Sequence, residues 1–482
     1  MIAKRALRYS VALGALVATV TLAGCQKEEL MDNQFNQPLA SLSPSNGQAI
    51  EGQYIVVFKN QASQMSASQD LKASKVSALR IREDVLAKAK LKASEVQQVY
   101  EGAVSGFAAK LSAEQVNELR RNPNVAYVEQ DRIIALSPSW KDTGIATKGG
   151  GKGSTDTTTK GGGKGNGKGQ TDPTPTEPAP TDSTTTAPAP TEPAPADSTV
   201  TDPTPTDSTS IEPTPTEPAA AYAAITPLEG ETVAWNIERV GYGDGTGKTV
   251  WIIDSGVDTD HPDLNVDVAR SYSFIYGNPS IEDGYGHGTS VAGIVAAKNN
   301  GSGMIGVAAN ATVVALRVFD DAGAGSVSRA ISAVNYVINN AKAGDVVNMS
   351  LGSGISTTLD QAVQDAAAKG ILFSLAAGNS NVDCSGTSPA RVNAPGVYTI
   401  SAMDSYNALW ASSNFGAGVD FAAPGVGVTA TTKNGSIAGG MYGTSMATPH
   451  VAGILLLRGE VLSQGYVTGD KDTTPDPIAS LD

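Results

Sequence analysis

The chain has 482 residues, a formal net charge of −14 and two cysteines. That length allows two or three domains, each with a hydrophobic core of ordinary size. The negative charge argues against nucleic acid as a partner, because a protein that binds nucleic acid must neutralise phosphates with Lys and Arg.

The N-terminus has the pattern of an export signal. Basic residues precede an apolar run, and that run is too short to span a membrane. The run ends in Leu-Ala-Gly-Cys at residues 22–25, which resembles the cleavage box of bacterial lipoproteins. We therefore expect a lipoprotein signal peptide over residues 1–24 and a lipid on Cys25. Cys384 would then have no partner for a disulfide.

Residues 25–50 carry no periodic pattern and are interpreted as a tether. A small domain follows over residues 51–136, where strand-like runs and helix-like spacings come in the order β-α-β-β-α-β. Ser112 and Gln115 form a capping-box pattern at the start of its second helix. This order predicts a ferredoxin-like α+β domain.

Residues 137–221 differ sharply in composition from the segments on either side. A stretch rich in Gly and Lys comes first, and repeats of Pro, Thr, Asp and Glu follow. Glycine makes a chain flexible, proline at this density favours the polyproline II conformation, and neither part could bury a core. We interpret this segment as a disordered linker that acts as a spacer.

Residues 222–482 alternate short apolar runs with helix-like stretches. The predicted strands cover residues 249–253, 313–318, 346–349, 371–375 and 397–400. The predicted helices cover residues 288–298, 327–341, 358–369 and 444–462. Alternation of this kind predicts an α/β fold, with a parallel sheet flanked by helices and the functional site at the carboxyl ends of the strands.

Three polar residues in separate glycine-rich segments of this part could activate a nucleophile. Asp254 follows the first predicted strand, and His287 and Ser445 begin predicted helices. A serine hydroxyl attacks only when a base takes its proton, and the base must be held in the right tautomer. These three residues could serve as orienting acid, base and nucleophile.

Other hydrolytic sites fit the sequence poorly. The chain has three histidines, His261, His287 and His450, and no His-rich or Cys-rich cluster of the kind that binds zinc. An α/β-hydrolase needs Gly-x-Ser-x-Gly and the chain order Ser, Asp, His. Here Ala447 replaces the second glycine, and His450 lies on the same predicted helix as Ser445.

The three segments resemble those of the subtilisin-like serine proteases, or subtilases. They read Asp-Ser-Gly-Val-Asp from Asp254, His-Gly-Thr from His287 and Gly-Thr-Ser-Met-Ala-Thr-Pro-His around Ser445. The resemblance covers about residues 235–462. It implies that Ser445 attacks the scissile carbonyl, His287 transfers the proton and Asp254 orients His287. Residues 51–136 resemble the inhibitory propeptide of the same family.

The resemblance also implies which residues bind the substrate. The side chain of Asn379 would donate a hydrogen bond to the oxyanion. The substrate would add as a strand between two segments of the enzyme. The residues implied to line those segments are Ser350, Leu351, Gly352 and Gly323.

No cofactor is implied for the chemistry, but the family implies structural calcium. Asp263 and Asn300 lie where one family site takes its side-chain oxygens. Asp420, with the carbonyls of Pro395 and Val397, resembles another family site. Oxygen ligands of this kind suit Ca²⁺. We take Asp420 as the candidate metal ligand.

These patterns predict an exported serine endopeptidase that is made as a self-cleaving zymogen and touches the membrane only through its lipid. It is expected to act on protein or peptide substrates, to be inhibited by its own propeptide, and to be a monomer at the outer membrane or cell surface. We expect the cut between Leu136 and Ser137, with Leu136 in the first specificity pocket and the catalytic domain released afterwards. Because few residues follow Ser445, the closing helix and strand of the fold are expected to be short or missing.

Two alternatives stay open. The chain could be a catalytically silent binding module on a stalk, although the intact polar residues of the predicted site argue against this. As an enzyme, it could process a narrow set of proteins or degrade many.

Overall fold

The computed structural model describes residues 46–59, 71–137 and 222–482. The predicted signal peptide, most of the tether and almost all of the linker lie outside these ranges, and so does Cys25. Within them, no helix combines the length and the apolar character that crossing a bilayer requires.

The N-terminal domain is an antiparallel sheet with two helices. Its strands are β1 (Ala49–Phe58), β2 (Val96–Glu101), β3 (Ser105–Lys110) and β4 (Val125–Ala135). Its helices are α1 (Leu71–Lys88) and α2 (Ala113–Arg121). The sheet order β4-β1-β3-β2 confirms the ferredoxin-like arrangement predicted from the sequence.

Both faces of this sheet are covered. Val56 and Phe58 of β1 belong to a core shared with Leu119 of α2. The intervening residues Ile55 and Val57 belong instead to a hydrophobic cluster of the C-terminal domain. Successive side chains of a strand point to opposite faces, so the second face of the sheet is packed against the larger domain.

Helix α2 begins where its local sequence predicts. The Oγ of Ser112 accepts a hydrogen bond from the N–H of Gln115 at 3.3 Å, and the Oε1 of Gln115 accepts one from the N–H of Ser112 at 2.9 Å. This is the reciprocal capping box, and it satisfies donors that the helix itself leaves without partners.

The C-terminal domain is built on a ten-stranded sheet, accompanied by small two-stranded sheets. In chain order the strands are β5 (Gly243–Asp244), β6 (Thr249–Asp254), β7 (Asn265–Val266), β8 (Tyr272–Ser273), β9 (Ala308–Ala309), β10 (Thr312–Arg317), β11 (Ala324–Ser326), β12 (Val346–Met349), β13 (Ser353–Gly354), β14 (Leu372–Ala376), β15 (Thr387–Ser388), β16 (Val397–Met403), β17 (Phe421–Pro424), β18 (Val426–Thr432), β19 (Ser436–Tyr442), β20 (Leu462–Tyr466) and β21 (Pro477–Ser480). The large sheet has the order β20-β21-β17-β16-β14-β12-β6-β10-β7, with β8 also beside β10. Every pair from β21 to β7 is parallel.

Helices cover this sheet on both faces. They are α3 (Trp235–Val240), α4 (His287–Ala296), α5 (Val327–Asn340), α6 (Thr357–Ala367) and α7 (Thr444–Arg458). Ile252 of β6 packs in the core that contains α4 and α7, whereas its neighbours Trp251 and Ile253 pack in the core that contains α5 and α6. The fold is therefore the α/β arrangement that the sequence predicts.

The end of the chain consists of the last turn of α7 and two short strands. Helix α7 ends at Arg458 rather than at residue 462, because Gly459 follows with a φ of +78° and turns the chain out of the helix. No helix follows in the described residues, but β20 and β21 do, and β21 pairs parallel with β17. This agrees with the expectation that the closing helix and strand would be short or missing, because the two strands have five and four residues.

Strand β4 and the tether also differ from their predicted bounds. The sequence predicts a strand over residues 125–128, but β4 continues to Ala135 because its second half pairs with β11. Residues 46–48, which we assigned to the tether, are hydrogen-bonded to the same half of β4. Because β11 and residues 46–48 are distant from β4 in sequence, the local periodicity of β4 could not predict these pairings.

Candidate active site

Asp254 and His287 meet at the carboxyl end of β6. Asp254 is the last residue of that buried strand, and His287 is the first residue of α4. The Nδ1 of His287 lies 2.8 Å from Oδ1 and 3.0 Å from Oδ2 of the Asp254 carboxylate. Both side chains are buried, and the N–H of Ser255 also donates to Oδ1 of Asp254 at 2.7 Å.

Glycines let the two segments approach this closely. A Cβ on Gly288 would lie 2.1 Å from the carbonyl oxygen of Gly256 and 3.2 Å from the Cβ of Asp254. Gly286, just before His287, has a φ of +107°, which other residues rarely adopt. The glycines around the predicted acid and base are therefore required by the packing of α4 against the end of β6.

A second aspartate, which our sequence analysis missed, holds the loop that carries His287. The buried carboxylate of Asp283 accepts hydrogen bonds from the Oγ of Ser255 at 2.8 Å, the N–H of Gly286 at 2.6 Å, and the N–H and Oγ1 of Thr289 at 2.8 and 2.7 Å. Burial raises the pKa of Asp283. The available signal was an acidic residue four positions before His287 in a glycine-rich loop.

Ser445 lies in the first turn of α7, behind Gly443, which has a φ of +133°. Its Oγ donates to the carbonyl of Ser350 at 3.2 Å, and the Oγ of Ser350 donates to the carbonyl of Ser445 at 2.9 Å. The Nδ2 of buried Asn348 donates to the Oγ of Ser350 at 2.9 Å. These bonds join the start of α7 to the segment after β12.

Asn379 follows β14 and is anchored by the neighbour of Ser445. Its Oδ1 accepts from the N–H of Thr444 at 2.9 Å and from the Oγ1 of Thr444 at 2.8 Å. Both bonds engage the amide oxygen of Asn379, and the residue lines the cleft. The role of Thr444 in holding Asn379 was not apparent from the sequence.

Six of the predicted site residues line one cleft of about 360 Å³. Its lining includes Ser445, His287, Asn379, Ser350, Leu351 and Gly352. Asp254 lies behind His287, fully buried. Gly323 is on the opposite wall, where its carbonyl accepts the N–H of Leu136 at 3.0 Å.

The end of the N-terminal domain occupies this cleft. Residues 133–135 of β4 pair antiparallel with β11, and Ala135, Leu136 and Ser137 line the cleft beside Ser445 and His287. Leu136 is 7% exposed. The position of Leu136 in the first specificity pocket stays a prediction.

The other edge of β4 is covered by the chain's own residues 46–48. The N–H of Gly47 donates to the carbonyl of Ile133 and the N–H of Ile133 to the carbonyl of Gln48, both at 2.9 Å, while Oδ1 of Asn46 accepts from the N–H of Ala135 at 2.9 Å. Gly47 also lies against β13, since a Cβ there would be 3.1 Å from the N of Gly354. Within the described ranges, no backbone hydrogen bond joins β4 to Ser350, Leu351 or Gly352.

Two carboxylates of β4 bind the starts of two helices. Glu129 accepts from the N–H and Oγ1 of Thr358 in α6 at 3.2 and 2.6 Å, and Asp131 accepts from the N–H of Ser328 in α5 at 3.0 Å. Negative charge is favourable at a helix N-terminus. Burial raises the pKa of Asp131.

The remaining histidines lie apart from the cleft. His450 is fully buried, with Nδ1 2.9 Å from the carbonyl of Met446 and Nε2 3.0 Å from the Nδ2 of Asn236. Burial lowers its pKa to about 4, so the ring is neutral near pH 7. The Nδ1 of His261 accepts from the N–H of Asp263 at 3.1 Å. Only His287 lines the cleft.

The calcium ligands suggested by the resemblance differ in how many of their oxygens accept hydrogen bonds within the protein. Asp263 accepts from Asn300 Nδ2 at 3.1 Å and from the N–H of Met304 at 3.0 Å, and the Oδ1 of Asn300 accepts from the N–H of Ser302 at 3.0 Å. Each of those oxygens already accepts a hydrogen bond from within the protein. One carboxylate oxygen of Asp420 accepts a hydrogen bond from the N–H of Thr399 at 2.7 Å. Across residues 46–59, 71–137 and 222–482, no group of three or more His, Cys, Asp or Glu could hold a metal.

Cys384 is a free, buried thiol, and burial raises its pKa to about 11. A thiol with a raised pKa is a poor nucleophile. Cys384 is therefore a poor candidate for a reactive group.

Family models match both described domains. The subtilase family model matches residues 245–465, and the peptidase inhibitor I9 model matches residues 53–137. A crystal structure of a cold-adapted subtilisin-like serine proteinase is 36% identical and covers 51% of this chain and 97% of that chain, with a TM-score of 0.45.

Curated proteases are similar over long stretches. Alkaline serine exoprotease A of Vibrio alginolyticus is 31% identical over 473 residues, which cover 97% of this chain and 71% of that protein. The alkaline protease of Alkalihalobacillus alcalophilus is 43% identical over 235 residues, 47% of this chain and 60% of that protein. Subtilisin Savinase of Lederbergia lenta is 42% identical over 235 residues, 47% of this chain and 84% of that protein. The chain belongs to the subtilase family of serine endopeptidases, and it carries an I9-type inhibitor domain ahead of the protease domain.

Proposed function

We propose that the chain is a self-cleaving zymogen whose peptidase uses Ser445 as nucleophile, His287 as general base and acid, and Asp254 as the group that orients His287. The contact of 2.8 Å between Asp254 and the Nδ1 of His287, at the cleft that Ser445 lines, carries this proposal. A carboxylate that binds Nδ1–H leaves Nε2 to take the proton of the serine hydroxyl and return it to the leaving amine. Burial of Asp254 keeps water from competing for that bond.

The oxyanion would be bound by two donors. One is the Nδ2 of Asn379, whose orientation is set by the bonds of its Oδ1 to Thr444. The other is the backbone N–H of Ser445, which lies in the first turn of α7 where N–H groups have no intrahelical partner. Donors held in place before the reaction stabilise developing charge without reorganisation.

The substrate would lie as an extended strand between Gly323 on one wall and Ser350, Leu351 and Gly352 on the other. Support comes from β4, which enters this cleft as a strand, and from the next residue, Leu136, whose N–H donates to the carbonyl of Gly323. Backbone pairing binds many sequences alike, and the side chains of alternate residues then set the preference. Protein or peptide substrates are the class that fits.

The propeptide would inhibit by occupying this cleft until it dissociates, after the bond between Leu136 and Ser137 is cut. Its docking is supported by the β4–β11 pairing and by the contacts of Glu129 and Asp131 with the starts of α6 and α5. The intact mass of a soluble form that begins at Gln26 should fall with time to that of two fragments. N-terminal sequencing that placed the cut near residues 221–225 would refute the assigned bond.

The Ser445→Ala variant of the same soluble form separates self-cleavage from other causes. It should stay whole under conditions in which the wild type splits. If both forms split, the cut is made by another protease and the zymogen proposal is wrong. If neither splits and neither hydrolyses an unstructured protein substrate, the assignment of the three residues is wrong.

We assign membrane attachment to a lipid on Cys25, which lies outside the described residues. The support is the sequence of residues 22–25 and the position of the expected cut, which would release the protease domain from the lipid. In detergent phase partition, the precursor should enter the detergent phase and the processed protease the aqueous phase. A Cys25→Ala precursor should enter the aqueous phase. Processed protease that stayed with the detergent would contradict release.

Asp420 is the candidate ligand for a structural calcium ion, with the carbonyls of Pro395 and Val397. The half-buried carboxylate forms no ion pair within the described part of the chain, and burial raises its pKa. Calcium should raise the Tm of the Ser445→Ala protein, because a ligand that binds only the folded state stabilises it. Asp420→Asn keeps an acceptor for the N–H of Thr399 but should abolish that rise. An equal rise in both proteins would rule out this ligand.

A further inference from the structure

Asn414 is a buried polar side chain at the cleft that has no part in the mechanism proposed above. It lies between β16 and β17, is 1% exposed and belongs to the cleft lining. Its backbone N–H donates to the carbonyl of Gly378 at 2.8 Å. Because Gly378 directly precedes Asn379, this bond places Asn414 beside the loop that carries the proposed oxyanion donor.

The side-chain amide of Asn414 holds that loop on both sides of Asn379. Its Nδ2 donates to the carbonyl of Ala377 at 2.8 Å. Its Oδ1 accepts from the N–H of Ser380 at 2.9 Å and from the N–H of Val382 at 3.2 Å. These bonds need a donor and an acceptor on one short side chain, which is what asparagine provides.

The loop is also fixed from the opposite direction. Gly378 has a φ of +112°, and a Cβ there would lie 2.4 Å from the Nδ2 of Asn414. The N–H of Gly378 donates to the Oγ1 of Thr444 at 3.1 Å, and the same hydroxyl donates to the Oδ1 of Asn379. Asn414 therefore sets the position of the backbone at Asn379, whereas Thr444 orients the side chain.

Asn414 is itself supported by the central sheet. The Oγ of Ser413 donates to the carbonyl of Asn414 at 2.9 Å and accepts from the N–H of Ala402 in β16 at 3.1 Å. The N–H of the next residue, Phe415, donates to the carbonyl of Val382 at 3.2 Å. The segment that carries Asn414 is thus joined both to a core strand and to the loop that it holds.

We propose that Asn414 is a positioning residue for the peptidase reaction, because it holds the loop in the place from which Asn379 donates to the oxyanion. A donor stabilises developing charge fully only when it is already in place before the reaction. Loss of Asn414 should therefore slow bond cleavage through Asn379 alone. This inference rests on the proposed function, in which Asn379 binds the oxyanion.

A double-mutant cycle tests whether Asn414 acts through Asn379. The measured quantity is the rate constant of self-cleavage of the soluble chain that begins at Gln26, followed by intact mass. Asn414→Ala should lower it about 10-fold, since a misplaced donor loses part of its effect, and Asn379→Ala should lower it about 10²–10³-fold. The chain with both substitutions should cleave no more slowly than Asn379→Ala, because the donor through which Asn414 acts is already gone.

Asn236→Ala is the matched control for the loss of a buried asparagine. Asn236 is fully buried and its Oδ1 accepts from the N–H of Thr429 at 3.1 Å, but it does not line the cleft. This variant should have a lower Tm and an unchanged rate of cleavage. An unchanged rate for Asn414→Ala, or an equal loss with and without Asn379, would overturn the inference. If Asn414→Ala does not fold, Asn414→Ser goes through the same cycle.

Hydrogen exchange distinguishes this inference from the proposed function, because it needs no activity. In the full chain with Ser445→Ala, Asn414→Ala should speed exchange at the N–H groups of Ser380 and Val382, and Asn236→Ala should not. Unchanged exchange would overturn the inference whether or not the wild type cleaves itself. Altered exchange in a chain whose wild type never cleaves would count against the proposed function and not against the hold of Asn414 on the loop.

Discussion

The side-chain carbonyl of Asn46 accepts a hydrogen bond from the backbone N–H of Ala135 at 2.9 Å. Ala135 is in the half of β4 that enters the cleft. In a bound strand, a backbone N–H at this place would be available to pair with the cleft wall that contains Ser350, Leu351 and Gly352. Residues 46–48 therefore occupy the edge of β4 at which that wall would otherwise form hydrogen bonds. The segment before the propeptide domain takes part in how the propeptide is held.

Gly47 is the place to loosen this segment. It has a φ of +74°, and a Cβ would lie 3.1 Å from the N of Gly354. We expect Gly47→Val to free residues 46–48 and to speed processing several-fold, because β4 could then pair with the opposite wall. Gly247→Val is the matched control, since Gly247 has a φ of +80° and nothing within 4 Å of its Cβ position. Gel electrophoresis of samples taken over time measures the processing rate. Equal rates for Gly47→Val and wild type would show that residues 46–48 do not restrain β4.

Replacement of Asn379 should affect turnover and not substrate binding. Asn379→Ala removes a donor that acts on the developing oxyanion, so we expect kcat to fall by about 10²–10³ with KM little changed, a magnitude measured in subtilisin of the same family. Thr444→Val removes one of the two anchors of Asn379 and should cost less. Steady-state kinetics on a peptide substrate tests both. A loss that appeared mainly in KM would rule out the oxyanion role.

Propeptide release should be faster at pH 8 than at pH 5. Burial raises the pKa of Asp360 to about 6, the nearby carboxylate of Glu129 adds to the rise, and the guanidinium of Arg391 at 3.6 Å opposes it. Departure of the propeptide removes Glu129 and so lowers the pKa of Asp360, and the docked state therefore binds more protons than the free enzyme near pH 6. Docking is therefore favoured as pH falls through 6, and the raised pKa of Asp131 acts in the same direction.

The test incubates processed protein at each pH and assays samples at one common pH, so that the protonation of His287 does not enter. Asp360→Asn should release its propeptide at rates that depend less on pH, because its side chain has no proton to lose. Release from wild type that was equally fast at both pH values would contradict the assignment. Slower release at pH 8 than at pH 5 would show that the pH dependence of docking is opposite to the one predicted.

The stability of the protease domain should fall as pH drops from 6.5 towards 4. Burial lowers the pKa of His450 from 6.5 to about 4. Between these pH values the unfolded state binds a proton on this residue and the folded state does not. Stability from this residue is complete above pH 6.5 and declines by about 3 kcal/mol at pH 4. Urea unfolding of the Ser445→Ala protein at several pH values measures this slope.

His450→Gln supplies the comparison for that slope. Glutamine does not titrate, so the variant should lose less stability than its parent across this interval, although it starts lower because the bonds to Met446 and Asn236 are disturbed. Parallel curves for the two proteins would show that another group causes the acid sensitivity.

Local sequence was sufficient where the physical cause is local. The capping box of Ser112 and Gln115 spans three residues and forms as predicted. The alternation of apolar runs and helical stretches predicted the parallel sheet, because each β-strand and helix carries its own periodicity. The glycine-rich segments around Asp254, His287 and Ser445 led to the subtilase family, and the structure brings those residues to one end of the sheet.

The tertiary structure alone decided the features whose partners are far apart in the chain. The bond between Asn46 and Ala135 joins residues 89 positions apart, and that between Glu129 and Thr358 joins residues 229 positions apart. The length of β4, the bonds of Asn414 on either side of Asn379 and the two closing strands depend in the same way on surfaces that meet only after folding. A hydrogen bond needs its partner in place, and the periodicity of one segment holds no information about a partner that another segment supplies.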